Sequence, residues 1–172
     1  TMALISALSR NIHLGHKSLI AGTWDRHKLV GNELRNKVLG VIGLGRIGRE
    51  VIKRAQGYDM DILGYDPYVN EGMFNKDEIN LVSIDEIISD SDIITIHVPL
   101  LDSTKNLFNM ATFKKMKPTS KIINVARGGI INEQDLAKAL NDETISGAAI
   151  DVFENEPLDS MSPLISCKNI LL

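Results

Sequence analysis

The chain has 172 residues, with 19 Lys plus Arg, 22 Asp plus Glu and a formal charge of −3 at pH 7. Hydrophobic residues make up 44% and charged residues 24%; this globular composition excludes wholesale disorder, and the charge balance gives no electrostatic case for nucleic acid or an anionic membrane as partner. The length suits one domain of about 150 residues, no apolar run reaches the ~20 residues of a membrane span, and the single cysteine, Cys167, can form no internal disulfide, which fits a reducing cytoplasm.

Leu4, Ile5, Leu8 and Ile12 recur at helical spacing, which predicts helix over residues 1–22. Residues 23–34, centred on Trp24-Asp25-Arg26-His27-Lys28, are charged and irregular. Strand and helix patterns then alternate. Residues 38–42 are a short apolar run ending in glycines, hence a buried strand. Residues 46–55 put Ile47, Val51, Ile52 and Ala55 on one helical face, and 61–65 read as a second strand. Ser83-Ile84-Asp85-Glu86 has capping-box spacing and opens a short helix through Ile88. An Ile-rich third strand over 92–97 is followed by a short helix over 111–116 that must end before Pro118. Residues 121–125 form another strand, and Asn132 caps a helix over 133–140 with acids in its first turn. Residues 145–150 and 169–172 are the last two strands. This alternation predicts an α/β fold, a doubly wound parallel sheet with helices on both faces. The longest loop, 153–168, is a place to expect function. The chain opens at Thr1 with no basic region or cleavage site, and it closes on the apolar Asn169-Ile170-Leu171-Leu172; the expectation is one domain over 1–172, cut from a longer protein at both ends.

Gly43-Leu44-Gly45-Arg46-Ile47-Gly48 lies between the first strand and its helix, where a dinucleotide-binding turn of the Rossmann type needs it. Gly43 permits the tight turn, Gly45 lets backbone approach a pyrophosphate, and Gly48 lets helix lie close to sheet. The N–H groups of Arg46 and Ile47 would face the phosphates from the helix N-terminus. A plain strand–helix turn is the bland alternative. Asp66, ending the second strand eighteen positions after Gly48, suits the ribose hydroxyls and would repel a 2′-phosphate, which favours NAD over NADP. No residues suggest a metal site.

Three further strand ends carry candidates. His97-Val98-Pro99 could flank the adenosine with backbone at Val98 and the Pro99 ring, and Thr104 follows in the same loop. His97 reads as lining the cofactor half rather than as a catalyst. Asn124-Val125-Ala126-Arg127-Gly128-Gly129 ends the next strand, and Arg127 in it has a planar fork that suits a carboxylate, or an ion pair with a neighbouring acid. After the next strand stand Asp151, Glu154 and Glu156, any of which could orient a histidine base or form an acidic surface loop.

Taken together, 43–48, 124–129 and 147–157 resemble the D-isomer-specific 2-hydroxyacid dehydrogenase family, and Gly22-Thr23-Trp24 and Ser162-Pro163-Leu164 extend the likeness over nearly the whole chain. Within the family, 39–51 and Gly64-Tyr65-Asp66-Pro67 are most similar to members that act on 3-phosphoglycerate. The resemblance implies that Arg46, Ile47 and Asp66 hold the pyrophosphate and ribose of NAD. Val98 would line the adenosine, Thr104 would stand near phosphate or ribose, and Val125, Ala126 and Asp151 would meet the nicotinamide end. Arg127 would bind the carboxylate and C2 oxygen of a small 2-hydroxy acid. Glu156, among the three acids, would pair with the catalytic histidine. That histidine follows the family's last strand and would lie beyond Leu172, since His13, His16, His27 and His97 occupy other positions. The family's substrate domain is likewise absent, so residues 1–172 alone are expected to bind NAD without meaningful turnover. Other members of the family dimerise through segments like 1–34, so a homodimer through the cofactor domain is expected. The same motifs would also suit a reductase of glyoxylate or hydroxypyruvate, another 2-hydroxyacid dehydrogenase, or a non-enzymatic NAD sensor like the corepressors that resemble the family.

Overall fold

The computed structural model describes residues 1–69, 74 and 79–172. Its strands are β1 Val38–Ile42, β2 Asp61–Tyr65, β3 Asn80–Leu81, β4 Ile93–Ile96, β5 Lys121–Asn124, β6 Gly147–Ile150 and β7 Ile170–Leu171. They form one seven-stranded sheet in the order β3-β2-β1-β4-β5-β6-β7. Every pairing is parallel. The helices are α1 Met2–Ser9, α2 Ile12–Ile20, α3 Arg46–Gln56, α4 Ile84–Asp90, α5 Met110–Phe113 and α6 Glu133–Asn141.

Alternate residues of a strand face opposite sides of a sheet, so continuous apolar strands bury both faces. Leu39, Val41, Ile62, Ile93, Ile123 and Ala149 pack with Ile5 and Leu8 of α1 and Val51, Ile52 and Ala55 of α3. Ile42, Ile94, Ile96, Ile122, Ala148 and Ile150 pack on the other side with α4, α5 and α6. The doubly wound sheet predicted from the alternation is therefore the fold observed. Its order reverses between β1 and β4, where a crevice opens at the carboxyl ends of the strands. The register fixes what surrounds that crevice. Ile42 is level with Tyr65 and Ile96, Ile96 with Asn124, and Asn124 with Ile150. The residues that follow, Gly43, Asp66, His97, Val125 and Asp151, thus emerge along one edge.

The caps explain where helices begin. Ser83 and Glu86 form the predicted capping box, with Ser83 Oγ accepting from Glu86 N and Glu86 Oε2 from Ser83 N. Asn132 Oδ1 accepts from Asp135 N at 2.9 Å. Asn109 Oδ1 accepts from the N–H groups of Ala111 and Thr112, which starts α5 at Met110; the helix closes at Phe113 rather than 116.

Some expectations are corrected. The predicted helix over 1–22 is two helices, broken where Asn11 adopts φ 53°. Asparagine tolerates that left-handed conformation, and its side chain reaches Val30 O at 3.2 Å. The break turns Ile12 outward, at 57% exposure, while Ile5 and Leu8 are sealed at 0%. The irregular segment before β1 contains a 3-10 turn, Arg26–Leu29, and the 153–168 loop contains another, Pro163–Ser166, that buries Leu164. Strand β3 was not predicted, because two residues at a sheet edge leave no readable period.

Candidate functional site

The glycine-rich turn is shaped by what its residues lack. Gly43 has φ +95°, and a Cβ there would lie 2.5 Å from His97 O. A Cβ on Gly48 would lie 2.1 Å from Gly43 O, so any side chain would drive α3 away from the turn. Gly45 differs: a Cβ there would meet nothing within 4 Å, which leaves its backbone open to an incoming group. Arg46 and Ile47 then open α3 with their N–H groups free of earlier helical partners. Asp66 reaches the turn from the end of β2. Its Oδ2 accepts from Leu44 N at 2.9 Å and its Oδ1 from Tyr68 N at 2.9 Å. The carboxylate therefore stands beside the turn, held by two backbone donors. This combination of bare backbone, helix N-terminus and adjacent acid fits a dinucleotide.

Beside the turn lies a cleft of about 270 Å³, lined by Ile47, His97, Val98, Pro99, Val125, Ala126 and Arg127. Ile47 is 63% exposed, an apolar side chain at a helix N-terminus that forms one wall. His97 is mostly buried, and its Nε2 lies 3.0 Å from Thr95 Oγ1. Desolvation lowers its pKa to about 4. The ring is thus neutral near pH 7 and too weak a base for proton abstraction, in keeping with the expectation that it lines the site.

The Arg127 turn is made by a residue whose role the sequence did not disclose. Asn124, only 2% exposed, ends β5. Its Oδ1 accepts from Ala126 N at 3.0 Å and its Nδ2 donates to Arg127 O at 2.9 Å. A polar residue directly after the buried pair Ile122-Ile123, at the strand's carboxyl end, was the available signal. Arg127 is exposed, and its Nη1 donates to Ala126 O at 2.6 Å. A Cβ on the neighbouring Gly128 would fall 1.8 Å from Phe153 O, so the turn after β5 lies directly against the loop after β6.

The three acids differ in their surroundings. Asp151 is exposed at the tip of β6, and its N–H donates to Asn124 O. Glu154 Oε1 accepts from Glu133 N at 3.2 Å, which commits it to the start of α6. Glu156 Oε1 accepts from Phe153 N at 3.0 Å and is otherwise exposed. Thr104 is turned inward on its own loop: its hydroxyl donates to Pro99 O at 2.7 Å and accepts from Leu101 N at 2.8 Å. The structure thus brings Ile47, Val98, Pro99, Val125, Ala126 and Arg127 to one cleft and Gly43, Gly45, Gly48 and Asp66 to the turn beside it; Thr104, Asp151 and Glu156 lie outside the cleft lining. Among the described residues, no group of three or more His, Cys, Asp or Glu could hold a metal, and no helix is long and apolar enough to cross a membrane.

Known proteins resemble this chain in sequence and in fold. Residues 2–172 match the model of the D-isomer specific 2-hydroxyacid dehydrogenase NAD binding domain. The chain is 44% identical over 172 residues to D-3-phosphoglycerate dehydrogenase of Methanocaldococcus jannaschii, which covers 99% of this chain and 33% of that protein. It thus spans about a third of the length of the curated relatives it matches. Among solved structures, NAD-dependent formate dehydrogenase from Staphylococcus aureus in complex with NAD superposes with a TM-score of 0.89 at 34% identity, over 95% of this chain and 50% of that one. The pyruvate reductase of Chlamydomonas reinhardtii superposes with a TM-score of 0.82 at 39% identity, over 90% of this chain and 46% of that one. Residues 2–172 are an NAD-binding domain, and the chain belongs to the D-isomer-specific 2-hydroxyacid dehydrogenase family.

Proposed function

We propose that this domain serves an NAD-dependent dehydrogenase that oxidises 3-phosphoglycerate to 3-phosphohydroxypyruvate, the first step toward serine. The observation that supports the reading is the contact between Gly128 and Phe153, which packs the loop that carries Glu156 against the turn whose exposed arginine, Arg127, lines the cleft. The substrate rests on the relatives named D-3-phosphoglycerate dehydrogenase, from archaea to mammals.

In this reading Arg46, Ile47 and the glycines hold the pyrophosphate, and Asp66 the adenosine ribose. Val98 and Pro99 flank the adenosine, and Thr104 shapes that side by closing the loop that carries Pro99. Val125, Ala126 and Asp151 border the nicotinamide end. Bound NAD supplies the hydride acceptor. Arg127 holds the substrate carboxylate and stabilises charge on the C2 oxygen. Glu156 raises the basicity of a histidine, supplied from sequence outside residues 1–172, that takes the hydroxyl proton. A substrate domain outside these residues completes the site, and residues 1–172 alone bind NAD without meaningful turnover.

The assembly we propose is a cytoplasmic homodimer through the amino-terminal arm. Ile5 and Leu8 are covered by this chain's own sheet, but Ile20 is 74% exposed and Trp24 and Val30 are each 77% exposed. Light scattering that finds only monomer removes this assembly.

The test follows NADH absorbance with the full-length protein, NAD and 3-phosphoglycerate, beside D-glycerate and D-lactate. Turnover that depends on the phosphate supports the reading. Turnover only of unphosphorylated acids, in either direction, moves the substrate to a small 2-oxo acid, the reading favoured by the likeness to a pyruvate reductase. Tight NAD binding with no turnover makes the protein a sensor.

A further inference from the structure

The loop that carries Glu156 is tied to α6 by a reciprocal pair of bonds. Glu133, the first residue of α6, donates its N–H to Glu154 Oε1 at 3.2 Å, and Glu154 donates its N–H to Glu133 Oε1 at 2.7 Å. Two carboxylates are thereby brought together, and this repulsion adds to the burial that raises the Glu133 pKa.

Both ends of the clasp lead to the site. On one side, Phe153 N donates to Glu156 Oε1, and Phe153 O packs where a side chain on Gly128 would be. On the other, residues 129–132 run from the Arg127 turn into α6. Asn106 N donates to Gly129 O, Phe108 N to Ile130 O, and Asn132 N to Phe108 O, so that run has little freedom. Ile130 and Ile131 anchor it in the core. The start of α6 therefore moves with Arg127, and the clasp carries its position to the Glu156 loop.

We propose that Glu133 and Glu154 form a clasp that sets the Glu156 loop against the Arg127 turn, which makes Glu133 a positioning residue for the reaction. This rests on the dehydrogenase reading above. Misplacing a reacting group by about 1 Å can lower a rate as much as 100-fold.

The test uses the full-length protein. Glu133→Gln keeps an oxygen that accepts from Glu154 N, whereas Glu133→Ala removes it. The expected result is a kcat about tenfold lower for Glu133→Ala, with NAD Kd within about twofold of wild type and near-normal kcat for Glu133→Gln. Amide hydrogen exchange at Phe153 and Glu154 rises in Glu133→Ala alone. In a Glu156→Gln background, Glu133→Ala costs less than about twofold more, because the group it positions is already gone. Equal loss in Ala and Gln variants, or the same tenfold loss in the Glu156→Gln background, overturns the proposal. Glu154→Ala, at an exposed position, removes the acceptor of Glu133 N and tests the clasp from its other side if Glu133→Ala does not fold; a wild-type kcat together with wild-type exchange at Glu133 overturns the proposal equally. A wild-type protein inert on every acid sinks the dehydrogenase reading itself, and that is seen before any variant is made.

Discussion

The two sides of the cleft are built by different means. The 43–48 turn is made of backbone: φ +95° at Gly43, a helix lying on Gly48, and free N–H groups at α3. The turns after β5 and β6 are made by side chains that bind backbone: Asn124 on Ala126 and Arg127, Glu156 on Phe153, and Glu154 on Glu133. Backbone presents the same donors whatever reacts nearby, which suits a phosphate chain common to every turnover. Side chains add charge and direction, which suits a group that must be told apart from water and from other acids.

That contrast breaks most severely at Gly48. Gly48→Val places side-chain atoms where a Cβ alone would already be 2.1 Å from Gly43 O. The expected cost is about 3 kcal/mol or more of stability, the upper range for overpacking, with NAD binding lost; a melt and a fluorescence titration with NADH read both. Arg127→Ala makes the opposite prediction. Its side chain is exposed, so melting stays near wild type, while kcat of the full-length protein falls by about 10²–10³, the usual loss for one group that stabilises a developing oxyanion. A large fall in melting temperature would place Arg127 with the structural residues.

Asp66→Ala sharpens the comparison because Asp66 is a side chain serving the backbone turn. It deprives Leu44 N and Tyr68 N of their acceptor. NAD binding should weaken by about tenfold, equivalent to one hydrogen bond to a charged group, and the discrimination against NADP should shrink. An unchanged NAD/NADP ratio would remove Asp66 from the ribose site.

The smallest effect near neutral pH is expected at His97, and it grows as the pH falls. Its folded pKa, about 4, lies below the unfolded value of 6.5. The unfolded chain therefore binds the extra proton first, so the stability contributed by keeping the ring neutral is complete above about pH 6.5 and declines as pH falls toward 4. His97→Gln should flatten the stability profile across that window. A profile identical to wild type would mean that other groups control it.

The glycine turn and Asp66 were legible because their requirements are local: fixed spacing, a strand before and a helix after. The same holds for the caps at Ser83 and Asn132, where one side chain serves a backbone group three residues on. The choice among Asp151, Glu154 and Glu156 was not legible by spacing. All three follow one strand, and only the packing of α6 shows that Glu154 is committed to Glu133. The break at Asn11 was hidden for a related reason, since Leu4 to Ile12 keeps helical spacing while the turn is held by Val30 and Asn32, distant in the chain.

By itself the sequence determined the alternation of strand and helix, the parallel sheet with both faces buried, and the glycine-rich turn between the first strand and its helix, because each depends on periodicity or on residues within one turn of each other. The tertiary structure alone decided which strand ends stand level, where the cleft lies, and which acids remain free. Those follow from sheet register and from contacts between turns far apart in sequence, and register depends on how whole strands pair rather than on any short stretch of chain.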